Sequence, residues 1–168
     1  MTEFPKRGLF EPLPGGAFKA RNALVTGDVT LGADVGIWFG CVVRGDDAPL
    51  TIGAHTNVQD LTMIHADTGA PNVIGSEVTV GHRCVLHGVR IGDGSLIGMG
   101  AVLLGGSVIG SEALVAAGAV VREGFSVPDG MLAAGVPAKL IRPLTPEERK
   151  SFRASAEGYV KKIRLYLG

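Results

Sequence analysis

An aliphatic residue recurs every six positions through most of this 168-residue chain. Glycine often follows it, as in Leu31-Gly32, Ile52-Gly53 and Ile74-Gly75. Sustained hexapeptide self-similarity is typical of a parallel β-helix, in which each six-residue unit forms one flat side and three units complete a coil. The sequence therefore predicts an all-β protein with coils over residues 23–127. The opening residues of the units are Val25, Leu31, Ile37, Val43, Ile52, Val58, Ile64, Ile74, Val80, Leu86, Ile91, Ile97, Leu103, Ile109, Val115 and Val121.

The repeat is interrupted in three places, between Val43 and Ile52, between Ile64 and Ile74, and between Leu86 and Ile91. The first two intervals are longer than six residues and predict short loops at residues 46–49 and 67–72, extruded at corners of the coil. Assigning the units in turn to three faces predicts which openers share a side. Face A then contains Val43, Ile64, Leu86, Leu103 and Val121.

The histidines are the best indication of function. His65 and His87 each follow a face A opener, so they occupy equivalent places in successive coils, where neighbouring strands lie ~4.8 Å apart. Two imidazoles starting from that separation can converge on one ion with zinc–nitrogen bonds of about 2.0–2.1 Å. His82 follows Val80-Gly81 on face C, so it joins such a pair more easily from a neighbouring chain. We therefore hypothesise a metal between the subunits of a cyclic trimer.

A simpler interpretation of the histidines stays open. Four histidines in a chain of this length are an ordinary number, and any one alone would more often be a corner or surface residue. His55, on face B, has no partner and is expected at the surface.

Several motifs resemble the gamma-class carbonic anhydrases over roughly residues 8–166. They are VVRGDD (42–47), IGAHTNVQD (52–60), MIH (63–65), VTVGHRCVLHG (78–88) and IGMGAVLLGG (97–106). The resemblance implies a left-handed β-helix assembled as a homotrimer with intersubunit metal sites. It also implies zinc, with iron(II) or cobalt(II) as alternatives, bound by His65 and His87 of one chain and His82 of another.

The same resemblance implies roles for further residues. Arg44 and Asp46 match a pair that links adjacent subunits near the metal, although the residues alone suggest a solvated corner ion pair. Asp60 matches a supporting carboxylate. Three residues match groups near the reacting solvent, where an amide could orient hydroxide or bicarbonate: Gln59, Asn57 and Tyr159. From the residues alone, Asn57 would be a turn residue, Gln59 ordinary surface, and Tyr159 a packing residue.

The expected activity is zinc-dependent hydration of carbon dioxide to bicarbonate. Zinc with three neutral histidines and an open position can lower the pKa of bound water to about 7, giving hydroxide at neutral pH. The loops lack the glutamate-bearing insertion that serves as a proton shuttle in the best-equipped family members, so we expect weak activity, with Asp47 or Asp67 as substitutes.

Two alternatives remain. A hexapeptide-repeat acyltransferase acting on a coenzyme A thioester would share the β-helix, the trimer and the GVPAK tail (135–139), but it needs only one basic histidine. A non-catalytic trimeric scaffold would keep the fold and the metal without turnover.

Composition and charge limit the partners and the compartment that we expect for this protein. Lysine plus arginine equals aspartate plus glutamate at 16 each, so nothing indicates a nucleic-acid partner. No secretory signal opens the sequence, and the uncharged run at 94–111 carries glycines at hexapeptide spacing rather than a membrane span. Cys41 and Cys84 fall two coils apart, too far for a disulfide. A cytoplasmic protein is expected.

The hexapeptide period ends before the last residues. Thr145-Pro146-Glu147-Glu148 predicts a capping box with proline at the first helical position. Apolar residues then recur at helical spacing, which predicts an amphipathic helix over 145–168 that packs along the coil within a single domain of residues 1–168. These apolar residues are Phe152, Ala156, Tyr159, Ile163 and Tyr166.

Overall fold

The structure is a computed structural model that describes residues 7–167. Residues 1–6 and 168, which belong to the single-domain and helix predictions, lie outside the described residues. A short 3-10 turn spans Pro14–Gly16 and one α-helix, α1, spans Pro146–Ile163. The strands are β1 (Phe10–Pro12), β2 (Phe18–Ala20), β3 (Leu24–Leu31), β4 (Gly36–Ile37), β5 (Val42–Ile52), β6 (Asn57–Val58), β7 (Met63–His65), β8 (Asn72–Ile74), β9 (Thr79–Val80), β10 (Val85–His87), β11 (Arg90–Ile91), β12 (Leu96–Ile97), β13 (Val102–Leu103), β14 (Val108–Ile109), β15 (Leu114–Val115), β16 (Val120–Val121), β17 (Ser126–Val127), β18 (Met131–Gly135) and β19 (Ala138–Pro143).

The strands stack as the predicted left-handed parallel β-helix. One nine-stranded sheet, ordered β1-β2-β4-β6-β9-β12-β15-β18-β19, contains face C, and its two terminal pairs are antiparallel. The other sheet has ten strands and covers faces A and B, because the long strand β5 runs from one face to the next. The face A prediction is confirmed by the register, in which Leu86 pairs with Ile64 and Leu103, Ile64 pairs with Val43, and Leu103 pairs with Val121.

The parallel stack extends beyond residues 23–127. It begins where β2 pairs with β4 and ends where β15 pairs with β18, so it reaches from Phe18 to residue 135. The helix, in contrast, ends at Ile163, short of the predicted residue 168.

The predicted loop at residues 46–49 is wrong, because these residues continue strand β5. Strand β3 runs beside β5 over its whole length, and the extra residues are absorbed as a register shift between Gly27 and Val29. Gly27 has a φ of +83°, and a Cβ atom there would collide with the backbone of Gly45, while one at Gly45 would collide with the backbone of Asp28. The second predicted loop is present, since residues 66–71 connect β7 to β8.

The interior of the coil is filled by the aliphatic openers. Ile37, Val58, Ile97 and Leu103 are fully buried, and burial of such a side chain contributes about 1.5–3 kcal/mol. The two cysteines are also buried and free, as predicted. Burial raises the pKa of each thiol to about 11, which makes both unreactive near neutral pH.

Helix α1 begins with the predicted capping box. The Thr145 hydroxyl accepts a hydrogen bond from the Glu148 backbone N–H, and the Glu148 carboxylate accepts one from the Thr145 N–H. The helix packs against β4, β6 and β9, which belong to face C. Its buried residues include Phe152 and Ala156. Within residues 7–167, the structure contains no helix with the length and hydropathy of a membrane span.

The burial of the openers makes a direct stability prediction. Replacing the fully buried Ile97 with alanine should lower the free energy of unfolding by about 2–5 kcal/mol, because it leaves a cavity in the coil. Replacing Val108, which is 39% exposed, with alanine should cost less than about 1 kcal/mol. Urea denaturation at fixed protein concentration compares the two, and equal effects would contradict a core built on the openers.

Candidate metal centre

His65 and His87 form the predicted stack. Strands β7 and β10 pair in parallel with His65 directly opposite His87, and the centroids of their rings are 5.4 Å apart. Their neighbours Ile64 and Leu86 are fully buried. Because side chains alternate along a strand, this burial turns both imidazoles outward on the same face.

Carboxylates surround the outward nitrogen of His65. Its Nε2 lies 2.9 Å from Asp47 Oδ2 and 3.3 Å from Asp46 Oδ1. Asp46 in turn accepts hydrogen bonds from the Arg44 guanidinium, whose Nη2 is 2.9 Å from Oδ2, and this contact lowers the pKa of the Asp46 carboxyl. The Arg44–Asp46 pair therefore lies within one chain, where it holds Asp46 beside His65. Asp67 lies in the 66–71 loop, and its Oδ1 is 3.9 Å from His87 Nε2.

His82 lies on the other sheet and has a carboxylate partner of its own. Its Nδ1 is 2.7 Å from Asp60 Oδ2, and Asp60 Oδ1 accepts a hydrogen bond from the Phe39 backbone N–H at 3.1 Å. An imidazole that donates through Nδ1 keeps the lone pair of Nε2 free, which is the usual way that a carboxylate prepares a metal-binding histidine. The sequence carried a signal for this contact, because both residues stand two positions after paired openers, Val58 and Val80.

Asn57 and Gln59 are joined by their amides. Gln59 Nε2 donates to Asn57 Oδ1 at 3.0 Å, and Asn57 Nδ2 donates to the Thr79 hydroxyl at 3.0 Å. Both side chains are buried, Asn57 at 2% and Gln59 at 6% exposure. Asn57 is thus engaged at both ends of its amide, and Gln59 is the member of the pair that lines a groove beside His82.

Tyr159 reaches the same groove from helix α1. The groove has a volume of about 570 Å³. Its polar lining consists of Gln59, Thr79, His82, Ser155 and Tyr159, and the rest is made of apolar residues and glycines of face C. The Tyr159 ring packs at 90° against Trp38 with centroids 5.1 Å apart, and burial followed by the charge of Asp60 raises the pKa of its phenol. Tyr159 therefore both packs against the coil and faces the groove.

His55 is separate from this group. It is exposed, as expected, but it does have a partner, because its Nδ1 lies 3.7 Å from Asp34 Oδ2 at a corner of the coil. The repeat carried a signal for this contact as well, because Asp34 and His55 each stand three positions after paired openers, Leu31 and Ile52.

The three candidate ligands do not meet within one chain. His65 and His87 belong to the ten-stranded sheet, whereas His82 follows β9 in the nine-stranded sheet. Among the described residues, the group that brings three potential ligand atoms within 4.8 Å of one another is Asp46, Asp47 and His65. The candidate ligands of one chain therefore lie on two different faces.

Known proteins resemble the chain in sequence and in fold. A family model described as bacterial transferase hexapeptide (six repeats) matches residues 73–105 and 88–123. A probable carbonic anhydrase of Methanocaldococcus jannaschii is 47% identical over 84% of this chain and 89% of that protein. The mitochondrial gamma carbonic anhydrase 2 of Arabidopsis thaliana is 42% identical over 89% of this chain and 56% of that protein.

A solved structure gives the same fold under a different name. The crystal structure of a putative acetyltransferase from Bacillus cereus superposes with a TM-score of 0.82 at 39% identity, covering 88% of this chain and 90% of that one. The hexapeptide coil, the paired histidine motifs and these similarities together define the class. The chain belongs to the gamma-class carbonic anhydrase family of hexapeptide-repeat proteins.

Proposed function

We propose that this protein hydrates carbon dioxide to bicarbonate at a metal held by His65, His87 and His82. The observation that carries the proposal is the division of the histidines, with a stacked pair on one sheet and a carboxylate-oriented third on the other. The relatives named carbonic anhydrase support it.

The donor set suits zinc. Three neutral imidazole nitrogens match the catalytic zinc pattern, in which a fourth position stays open. Iron(II) and cobalt(II) also accept imidazole ligands, so they remain alternatives. The Asp60 contact supports this fit, because a neutral His82 that donates to Asp60 through Nδ1 has the lone pair of Nε2 available for a metal. When bound, zinc lowers the pKa of a water ligand to about 7 and so supplies a nucleophile at neutral pH.

The surrounding residues orient the attacking solvent and accept its proton. Gln59 is held by Asn57 and lines the groove next to His82, so its amide can orient the solvent that attacks carbon dioxide. Asp46, 3.3 Å from His65 Nε2, is held by Arg44. We therefore assign the proton acceptors to Asp47, 2.9 Å from His65 Nε2, and Asp67, 3.9 Å from His87 Nε2. Tyr159 closes the groove on the helix side.

The proposed assembly is a cyclic homotrimer. A complete three-histidine set requires His82 of one chain to approach His65 and His87 of another, because each chain presents them on different faces. Closed cyclic symmetry then repeats the same contact at every interface. Arg44 and Asp46 lie at the edge of this contact, beside His65.

A second candidate function is acyl transfer from a coenzyme A thioester. It is favoured by the likeness to the structure titled a putative acetyltransferase. Acyl transfer needs one basic histidine and gives no reason for a stacked pair with an oriented third, so carbon dioxide hydration is the better explanation. Parallel assays of carbon dioxide hydration and of thiol release from acetyl-coenzyme A separate the two, and activity in neither would favour the non-catalytic scaffold.

Removing one ligand tests the metal centre. Replacing His87 with alanine should abolish tight zinc binding, because two histidines remain, while the coil stays folded on its aliphatic core. Replacing His55, which lies outside the set, is the matched control and should leave zinc content unchanged. Metal analysis, circular dichroism and light scattering provide the measurements. Full zinc retention in the His87 variant, or a stable zinc-loaded monomer of the unmodified protein, would contradict a metal site shared between subunits.

The Asp60 contact makes a second prediction. Replacing Asp60 with asparagine keeps an oxygen for the Phe39 N–H but turns the amide N–H₂ toward His82 Nδ1, which favours the wrong imidazole tautomer. Zinc affinity should fall about 10–100-fold, as measured by competition with a chromophoric chelator. Replacing Asp93, whose carboxylate accepts, among residues 7–167, only from the Ser76 backbone N–H, with asparagine should leave zinc affinity within about twofold of that of the unmodified protein.

Proton export makes a third prediction. Without a glutamate-bearing loop, hydration should be slow and should accelerate with the concentration of a small buffer such as imidazole, at fixed pH and ionic strength. Asn replacements at Asp47 and Asp67 should increase this buffer dependence. A fast rate that is independent of buffer would show that an efficient internal shuttle exists.

A further inference from the structure

Thr79 lies directly beneath Asn57 in the stack of coils. Strands β6 and β9 are paired with Asn57 opposite Thr79, and Thr79 is 4% exposed. Its hydroxyl is 3.0 Å from Asn57 Nδ2, so it accepts a hydrogen bond from that amide. No sequence motif singled out this threonine.

The bond to Thr79 differs from those of the other buried hydroxyls. Those of Thr56, Thr62 and Ser95 each donate to a backbone carbonyl of the next coil and accept from a backbone N–H, whereas the buried Ser107 hydroxyl makes no hydrogen bond among the described residues. The hydroxyls of Thr56, Thr62 and Ser95 therefore join the backbones of neighbouring coils at the corners. The Thr79 hydroxyl instead bonds a side chain that leads to the candidate metal centre.

The direction of this hydrogen-bond chain is set by the backbone. A hydroxyl can donate or accept, so Thr79 alone would allow the Asn57 amide to lie either way round. The Val78 carbonyl, which can only accept, lies 3.5 Å from the same end of the amide. The nitrogen of Asn57 therefore faces Val78 and Thr79, and its oxygen faces Gln59.

The orientation of Asn57 determines which atoms of Gln59 are available in the groove. Because Asn57 presents an oxygen, Gln59 offers one N–H of its amide to Asn57, and this leaves the Gln59 side-chain oxygen and the second N–H available. Gln59 lines the groove beside His82. The Gln59 amide is then held in one orientation, in which its oxygen can accept a hydrogen bond from the O–H of an attacking solvent molecule.

We propose that Thr79 is a positioning residue for carbon dioxide hydration, which acts through Asn57 to hold the Gln59 amide with its oxygen toward the groove. This inference rests on the proposed function for its catalytic consequence. The geometric part, that Thr79 fixes Gln59, can be tested without any turnover.

The sequence offers a clean probe, since Gln59 is its only glutamine. Protein labelled with nitrogen-15 in the glutamine side chain gives one amide group in a proton–nitrogen spectrum. In the unmodified protein, the proton bonded to Asn57 should exchange with water more slowly than its geminal partner. Thr79→Val, which keeps the shape, and Thr79→Ala, which adds no bulk, should each speed that exchange about tenfold. Thr79→Ser should restore the protection.

The matched control is Ser95→Ala. It also removes a buried hydroxyl with two hydrogen bonds, so it should lower thermal stability while leaving Gln59 exchange unchanged. Unchanged protection in both Thr79→Val and Thr79→Ala, or an equal loss in Ser95→Ala, would overturn the inference.

Kinetics test the catalytic part. In Thr79→Val, kcat/KM for hydration should fall about tenfold, whereas kcat, which slow proton export limits, should fall less. Combined with Gln59→Ala, the Thr79 substitution should cause no further loss, because both changes break the same chain. Additive losses would contradict an action through Gln59. If the unmodified protein lacks hydration activity, the proposed function fails, and the exchange measurement still decides the role of Thr79.

Discussion

The stacking of parallel strands in register is the constraint on which the rest of the structure depends. Each opener lies over the opener of the next coil, and backbone hydrogen bonds join the coils at a fixed spacing of ~4.8 Å. A shift by one residue would turn every buried aliphatic side chain to the surface, so the register is strongly specified. That same register places His65 opposite His87 and Asn57 opposite Thr79. The chemistry of the site thus inherits its geometry from the core.

The two sheets contribute differently to the candidate site. The ten-stranded sheet supplies the histidine pair, with carboxylates of Asp46 and Asp47 beside it. The nine-stranded sheet supplies His82 with its tautomer set by Asp60. Neither part offers three histidine nitrogens to one ion. Metal binding and subunit association are therefore linked in the proposed trimer, since an ion shared between chains stabilises the assembly that binds it.

Helix α1 is held against the coil by charges as well as by apolar contacts. Acidic residues occupy one corner of alternate coils, and arginines of the helix and its C-terminal end face them. Glu112 contacts Arg149 and Arg153 at 3.3 and 2.8 Å. These contacts accompany the apolar packing of Phe152, Ala156 and Ile163, which are buried, and Tyr159 of the same helix lines the groove. The further contacts in this column are Arg153 with Glu77 and Arg164 with Asp34.

The sequence by itself determined the coil, the faces, the histidine stack and the capped helix, because hexapeptide and helical periods specify which side chains are buried. It also placed His82 on a different face from the pair. Only the tertiary structure decided that residues 46–49 continue a strand, since this depends on β3 lying alongside. It alone decided the bonds from Thr79 through Asn57 to Gln59, and it supplied the geometry of the Asp60–His82 contact, for which the sequence indicated only equivalent places in neighbouring coils. A period specifies the direction in which a side chain points, whereas a hydrogen bond depends on the atoms that another coil, some 22 residues away, brings within reach.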